Sequence, residues 1–306
     1  MPLSPNQLAS ITRSKFIPKL ADNIFDSNPF LERAKRKGAL MLDGGLDIRM
    51  PLGYAQTTAA GFFGAGDTFS VADNEQLAVA VYNWKFAYAN IMLKEAEILQ
   101  NSGDSQVISL VKAKTMMSEK TLADILGTAL WNTGSNADAV HGLRYLLSAS
   151  NSPGGISQST NSWWAAGLDS TSTVVTMYAL QAGFNAATIG SQQPTVAYTT
   201  RTIYNLYYAL LQPQQRFVDT DTAKAGFSSL MFNSIPIIAD SHAPSSYLAM
   251  INEDFMKLVI HEKDNFQMSD FVRPANQRVK VAQVFFTGNL CSNQNRAHYL
   301  FSALAS

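Results

Sequence analysis

The chain has 306 residues, a formal net charge of zero at pH 7, and 46% hydrophobic against 15% charged residues. A chain of this length can bury about 75% of its extended surface, so the size of the core is not limiting. The zero net charge excludes a global field that would attract nucleic acid or a membrane, and a charged fraction below the usual value of about 25% indicates that interfaces cover much of the surface.

Cysteine content and hydropathy exclude further classes. Cys291 is the single cysteine, which excludes an internal disulfide and a metal site built from cysteines. The N-terminus lacks the apolar core of a signal peptide. The longest apolar stretch is interrupted by Asn83, Lys85 and Asn90, so no membrane span is predicted.

Residues 1–45 predict an extended arm with a short helix. The stretch "SNPFLERAKRKGAL" offers an N-cap, a proline near the first turn and a basic end. From Arg13 to Lys37 there are seven basic and three acidic residues, a local charge of 7 − 3 = +4. Two interpretations stay open, an ordinary solvated helix and an arm that faces phosphates. The candidate phosphate-facing residues are Arg33, Lys35, Arg36 and Lys37.

Residues 46–88 predict a long β-hairpin, because glycines lie at the middle ("GFFGAGDTF") and alternating residues flank them. The second limb places Leu77, Val79 and Val81 on one face and Ala78, Ala80, Tyr82, Trp84 and Phe86 on the other. Limbs of roughly 12 residues at about 3.3 Å each would reach near 40 Å. A two-stranded ribbon alone is marginal in water, so we expect it to lie on its own body or on another molecule.

The remaining elements alternate between helices and strands. Residues 104–131 predict a helix of about 28 residues, or about 42 Å, with Asp104 at its start. Helices are also predicted over 172–190 and 201–212, and strands over 194–200, "IPIIAD" and "SYLAMI". The stretches "NQRVKVAQVFFTGNL" and "RAHYLFSAL" are predicted to form an antiparallel pair. The predicted fold class is therefore α+β.

The loop "SPGGISQSTNSWWAAG" holds two adjacent glycines and half of the four tryptophans. A buried tryptophan removes roughly 150–250 Å² from water, so Trp163 and Trp164 must pack on something. Gly154 and Gly155 would let the backbone come close to it. The alternative is that both tryptophans belong to the core of one domain.

Motifs of enzymes are missing from the sequence. There is no phosphate-binding GxxxxGK[ST], no GxSxG and no HExxH. "ADSHAP" places Asp240, Ser241 and His242 side by side, but a nucleophilic triad is assembled from separated segments. "GFFGAGDTF" has no following Lys-Ser/Thr and is interpreted as a loop tip. We predict no enzyme, and no catalytic, metal-binding or cofactor-binding residue.

The order of these parts resembles the major capsid protein of tailed bacteriophages, the Hong-Kong-phage-type fold that encapsulin shells share. The local matches are "HGLRYLLSASNSPGGISQSTNSWWAA" and "SLMFNSIPIIADSHAPSSYLAMINEDFMKLVI". The resemblance implies an N-terminal arm (1–45), an extended loop (46–88), a peripheral domain (89–150 and 256–306) whose spine helix covers about 104–131, and an axial domain (151–255). Gly154, Gly155, Trp163 and Trp164 would then pack at the domain junction.

The resemblance also implies a function and partners. The chain would form the hexamers and pentamers of an icosahedral virion shell around double-stranded DNA, assembled in the host cytoplasm. Neighbouring subunits would be contacted through the residues Phe62, Phe63, Phe69 and Trp84. Packaged DNA would lie non-specifically against the basic arm, and portal, scaffold and decoration proteins would be further partners.

Two departures from relatives change what we expect. No lysine lies between Arg49 and Lys85, so the covalent crosslink that some relatives make from the extended loop is not expected. The arm begins near Met1, so we expect a separate scaffold protein or none. The alternatives are an encapsulin-like compartment with protein cargo and a glycan-binding phage-tail component that uses Trp163 and Trp164 as a platform.

Overall fold

The computed structural model describes residues 28–100, 110–215 and 230–305. The predicted arm up to residue 27 and the predicted helix start at 104–109 lie outside these residues. The described helices are α1 (Pro29–Gly38), α2 (Glu95–Gln100), α3 (Leu110–Ala129), α4 (Leu143–Leu146), α5 (Met177–Ala187) and α6 (Arg201–Gln215). Short 3-10 turns cover Pro153–Gly155 and Asn295–Ala297.

The strands are distributed along the whole described chain. In order they are β1 (Leu40–Leu42), β2 (Ile48–Gly53), β3 (Leu77–Tyr82), β4 (Lys85–Lys94), β5 (Gly167–Asp169), β6 (Thr173–Val174), β7 (Val196–Thr199), β8 (Met231–Phe232), β9 (Ile235–Ala239), β10 (Leu248–Ile251), β11 (Met256–Met268), β12 (Val279–Ser292), β13 (Tyr299–Phe301) and β14 (Leu304–Ala305). The protein therefore mixes helices and strands, which confirms the α+β class.

These strands form four sheets. A six-stranded sheet has the order β5–β13–β10–β7–β9–β8, and a four-stranded sheet has the order β1–β11–β12–β4. Two-stranded sheets pair β2 with β3 and β6 with β14. The six-stranded sheet is mixed, since β7 pairs antiparallel with β10 but parallel with β9.

The described residues divide into two compact units. The smaller comprises Tyr88–Leu122 and Met268–Val284, and the larger comprises Asp26–Ala87, Ala123–Gln267 and Phe285–Ser306. These units differ in extent from the four segments expected from the sequence, and the arm, extended-loop, peripheral and axial boundaries remain a prediction.

The core of the larger unit lies where α5 and α6 pack on the six-stranded sheet. On α5, the buried residues Leu180, Gly183, Phe184 and Ala187 follow helical spacing. The Thr176 side chain accepts a hydrogen bond from the Ala179 amide (3.1 Å) and begins this helix. The periodic apolar face therefore determines both the helix and the side that it buries.

The hairpin prediction is confirmed in its pairing and corrected in its length. Strands β2 and β3 pair antiparallel from Ile48↔Tyr82 to Gly53↔Leu77. Each limb pairs over six residues, and 54–76 form the connecting loop. The predicted alternation is also found, because Ala80 and Tyr82 are buried whereas Leu77, Val79 and Val81 are exposed.

Two other strand predictions are wrong. The second limb ends at Tyr82, and Phe86 belongs instead to β4 at the edge of the four-stranded sheet. The two C-terminal stretches do not pair with each other, since β12 lies between β11 and β4 whereas β13 pairs with β10 and β5. Strand partners separated by 50 or more residues, such as Ala249 and Leu300, leave no local signal in the sequence.

Candidate assembly surfaces

The inner face of the hairpin packs on the glycine turn at Pro153–Gly155. Gly154 has φ +66°, and a Cβ atom there would lie 2.6 Å from the Ala80 Cβ. A side chain is therefore excluded by both the left-handed backbone and the contact. Gly155 has φ +77° but faces open space. The structure thus assigns the close approach to the first glycine of the pair.

The two tryptophans differ in their surroundings. Trp164 is 1% exposed, and its indole N–H donates to the Pro153 carbonyl (3.2 Å). Trp163 is half-buried and stacks on Tyr54 with ring centroids 4.8 Å apart. Both lie within the larger unit. Trp163 connects the loop to Tyr54 beside β2, whereas Trp164 connects the loop to its own glycine turn. Their predicted role at a domain junction stays a prediction.

The tip of the hairpin carries unburied aromatic side chains. Phe62 is fully exposed, and Phe63 and Phe69 are about two-thirds exposed. Phe63 and Phe69 contact each other edge-on at 5.0 Å. Between them, the Asp67 carboxylate accepts a hydrogen bond from the Gly64 amide (2.5 Å) and shapes the turn. Three phenyl rings are thereby held at the end of a two-stranded ribbon without a covering surface among the described residues.

The outer face of the hairpin also carries exposed apolar side chains. Leu77 is 80% exposed, and Val79 and Val81 on the same face are also exposed. Their cross-strand partners on β2 are Gly53, Pro51 and Arg49. Monomeric proteins rarely leave contiguous apolar surface of this kind uncovered, and larger patches mark interaction sites.

Trp84, the fourth predicted contact residue, is already engaged within the chain. Its indole N–H donates to the Gly45 carbonyl (3.0 Å), and its ring meets His261 edge-on with centroids 5.6 Å apart. Trp84 is half-buried. Its contact with another subunit stays a prediction. Only the exposed part of the Trp84 ring could make that contact.

The basic residues of α1 separate into two pairs. Arg33 forms a bidentate ion pair with Glu253 (2.6 and 2.9 Å), and hydrogen bonding to Glu253 raises the Arg33 pKa. The Lys35 ammonium lies 4.0 Å from the centre of the Phe266 ring, and burial lowers the Lys35 pKa. Lys35, Arg36 and Lys37 are all exposed on this helix. Because Arg33 and Lys35 have partners within the chain, Arg36 and Lys37 are the cations most available to a phosphate partner.

The Asp240–His242 segment forms a cluster with Asp124 of α3 and with Trp131, which follows that helix. His242 Nε2 lies 2.8 Å from the Asp124 carboxylate and Nδ1 lies 3.3 Å from that of Asp240. The Trp131 indole N–H donates to the other Asp240 oxygen (3.2 Å). Because both ring nitrogens face carboxylates, neither is free to deprotonate a serine. The sequence missed Asp124 and Trp131, which lie more than 100 residues away.

Two other histidines have pKa values lowered by burial, His298 fully buried and His141 half-buried. Burial lowers the pKa of His298 to about 3, and its Nδ1 accepts a hydrogen bond from the Asn252 amide (3.1 Å). Burial, together with the charge of Lys85, lowers the pKa of His141 to about 4. The Cys291 thiol is fully buried, and burial raises its pKa. These groups serve packing.

Metal-binding clusters and membrane-spanning helices are absent from the part of the chain that the structure describes. No cluster of three or more His, Cys, Asp and Glu side chains with metal-binding geometry occurs in the described ranges. No helix within those ranges is long and apolar enough to span a membrane.

No family model matches the chain, and no curated protein matches it in sequence. Solved structures do match it in fold. The cyanophage A-1(L) capsid asymmetric unit is 16% identical with a TM-score of 0.76, covering 99% of this chain and 100% of that one. The capsid of a native GTA particle is 10% identical with a TM-score of 0.69, covering 97% of each chain. The holo-SrpI encapsulin complex of Synechococcus elongatus PCC 7942 is 8% identical with a TM-score of 0.63, covering 99% and 96%. This chain therefore has the fold of tailed-phage major capsid proteins, which encapsulins share.

Proposed function

We propose that this protein is the structural subunit of an icosahedral virion capsid. The observation that carries the proposal is the fold match to the cyanophage capsid subunit, which leaves almost no residue of either chain unmatched. The match covers the hairpin together with both compact units. No further domain of this chain remains outside the match that would need a separate function. The proposed role is mechanical, with no catalytic step and no cofactor.

The exposed hairpin tip supports self-assembly. Burying one phenylalanine side chain contributes about 1.5–3 kcal/mol, and Phe62, Phe63 and Phe69 are all uncovered in the isolated chain. A neighbouring copy that covers the tip would gain this energy at every subunit. Contacts of this head-to-tail kind close into rings, and we propose that the rings are hexamers and pentamers.

The packaged cargo proposed for the shell is double-stranded DNA. Lys35, Arg36 and Lys37 are exposed on α1, but Arg33 and Lys35 have partners within the chain, which leaves Arg36 and Lys37 as the cations most available to phosphates. Contacts from a few exposed cations to phosphates are independent of sequence and weaken with salt. Portal, scaffold and decoration proteins are further proposed partners, with assembly in the host cytoplasm.

An encapsulin-like compartment is the second candidate, and the match to the holo-SrpI encapsulin complex favours it. The two candidates differ in cargo, which is nucleic acid for a virion and a protein for a compartment. The glycan-platform alternative has less support, because Trp164 is 1% exposed and one face of Trp163 stacks on Tyr54.

The test is negative-stain electron microscopy of the full chain expressed alone, with sedimentation of the same sample. Closed particles or ring-shaped capsomers are expected. If only a small oligomer forms, the chain is co-expressed with the scaffold gene adjacent to its own, and failure to form particles then contradicts the proposal. Extraction of purified particles distinguishes the cargo, since nuclease-protected DNA supports the virion and a single co-purifying protein supports the compartment.

A further inference from the structure

A hydroxyl-rich cleft in the larger unit has no role in the proposed assembly. Its volume is about 360 Å³. It lies beside the short helix α4 and the strands β5 and β13. The polar residues that line it are Thr133, Arg144, Ser148, Ser150, Asn151 and Ser302.

Arg144 is held in a fixed position at this cleft. Its guanidinium carbon lies 4.7 Å from the centre of the Tyr247 ring, and one of its N–H groups donates to the Tyr247 hydroxyl (3.2 Å). Its helix is anchored by the buried side chains of Leu143 and Leu146. An arginine that is stacked and hydrogen-bonded in this way loses little further conformational freedom when a ligand binds.

The positive charge of Arg144 is not compensated within the cleft. No aspartate or glutamate lines it, and Arg144 forms no ion pair with any residue in the described ranges. Asp169 follows Leu168 in the cleft wall, but its carboxylate accepts hydrogen bonds from Thr171 (2.5 Å) and Thr173 (3.1 Å). Arg144 is half-buried and has no carboxylate partner among the described residues, so its charge is available to an anionic ligand in the cleft.

The hydroxyl groups offer further donors. The Ser148 and Ser150 hydroxyls are 3.1 Å apart, and a pair that shares one hydrogen bond retains one proton to donate outward. The Ser302 hydroxyl donates to the Asp169 carbonyl (3.1 Å), so its single proton is used within the chain and it adds no donor to the cleft. A guanidinium fork beside one or two hydroxyl donors matches the oxygens of a tetrahedral oxyanion.

We propose that this cleft binds a phosphate group, either as the free ion or as part of a nucleic-acid backbone. The volume of the cleft accommodates one phosphate with its water molecules. Because Arg144 is the single cation in the lining, we expect the phosphate to bind reversibly. This inference does not depend on the proposed function, because the cleft is formed within one chain.

The test is the thermal melting of the full chain at increasing inorganic phosphate, with ionic strength held constant by chloride. A ligand that binds only the folded state raises Tm with its concentration. We expect a saturable rise for the wild type and for Arg201→Gln, which removes an exposed arginine on α6 outside the cleft. Arg144→Gln should weaken phosphate binding about ten- to hundredfold, since a hydrogen bond to a charged group contributes that much.

Two further measurements complete the test. Arg144→Lys keeps the charge but loses the fork, so it should bind phosphate with intermediate affinity, and it replaces Arg144→Gln if that variant does not fold. A short single-stranded oligonucleotide that competes with phosphate identifies nucleic acid as the source, and phosphate binding without competition identifies the free ion. No saturable rise in the wild type, or an equal rise in Arg144→Gln, overturns the proposal.

Discussion

The base and the tip of the hairpin use similar residues in opposite ways. At the base, Ile48, Ala80 and Tyr82 are at most 1% exposed, and the glycine turn lies directly against Ala80 and Tyr82. At the tip, Phe62 and Phe63 are surrounded by glycines and remain exposed. The base is therefore stabilised by its own chain, whereas burial of the tip requires a partner.

This difference separates folding from assembly along one continuous segment. Changes at the base should lower the free energy of unfolding of the isolated chain. Changes at the tip should leave that free energy nearly unchanged and reduce particle formation. The following predictions test this separation, from the largest expected effect on stability to the smallest.

Trp164→Ala is expected to give the largest loss. Removing a fully buried tryptophan lowers the free energy of unfolding by about 3–5 kcal/mol. Urea denaturation followed by circular dichroism measures it. The control is Trp164→Phe, which keeps most of the packing but loses the hydrogen bond to Pro153, and should lose about 1 kcal/mol for that bond. Unchanged stability and unchanged particles in Trp164→Ala would mean that the hairpin base does not depend on this loop.

The glycine pair offers a matched comparison. Gly154→Ala should lower the free energy of unfolding in two ways. Overpacking against Ala80 costs about 1–3 kcal/mol, and backbone strain costs about 1–2 kcal/mol. Gly155→Ala carries only the strain term, because its Cβ would face open space. Urea denaturation of the two variants side by side should show the larger loss for Gly154→Ala. Equal losses would contradict the close approach to Ala80.

Low pH should destabilise the base of the hairpin through His141. The ring centroids of His141 and Tyr82 lie 6.0 Å apart. The pKa of His141 is lowered to about 4 in the folded state, against about 6.5 when unfolded. The unfolded state therefore binds the proton first, and stability is complete above pH 6.5 and falls as the pH drops toward 4. The slope is about 1.4 kcal/mol per pH unit for each such group.

The variant that isolates this contribution is His141→Phe, which keeps a ring beside Tyr145 and removes the titration. The free energy of unfolding from urea denaturation between pH 6.5 and 4 should decline less steeply in the variant than in the wild type. Protonation of His298 also lowers the free energy of unfolding over an overlapping pH range. The variant should therefore keep part of the pH dependence. Identical slopes would mean that His141 is not neutral in the folded chain.

The tip should show the smallest effect on stability. The double variant Phe62→Ser, Phe63→Ser removes exposed rings, and surface substitutions of this kind change stability by about 0.5 kcal/mol or less. Denaturation should therefore match the wild type, while electron microscopy should show few or no particles. The control is Tyr178→Ser, an exposed aromatic of α5 outside the hairpin, which should assemble. Normal particle yield from the double variant would contradict a role of the tip in assembly.

Local patterns in the sequence predicted much of the hairpin. Alternation determined which residues of β3 face inward, and adjacent glycines marked the turn at Gly154 and Gly155. The paired length was overestimated, because alternation continues from β3 into β4 although the chain changes sheets between Tyr82 and Lys85. Periodicity reports which face is buried but not which sheet a strand joins.

Contacts between distant residues could not be predicted in this way. The resemblance offered all four basic residues of α1 as candidates for contact with DNA, yet Arg33 pairs with Glu253, 220 residues further along. Trp84 similarly bonds to Gly45, whose carbonyl carries no sequence signal. The sequence predicted Phe62, Phe63 and Phe69 as contacts with a neighbouring subunit. All three are exposed in the structure, and the contact itself stays a prediction.

The burial of the single thiol has a practical consequence for chemical labelling. Cys291 is inaccessible, and its raised pKa keeps it in the unreactive protonated form. A cysteine introduced at Ala65, on the exposed tip, would be the only reactive thiol in the folded chain. A fluorophore attached there would report through its emission when a second copy covers the loop, so that assembly could be followed in real time without removing the native cysteine.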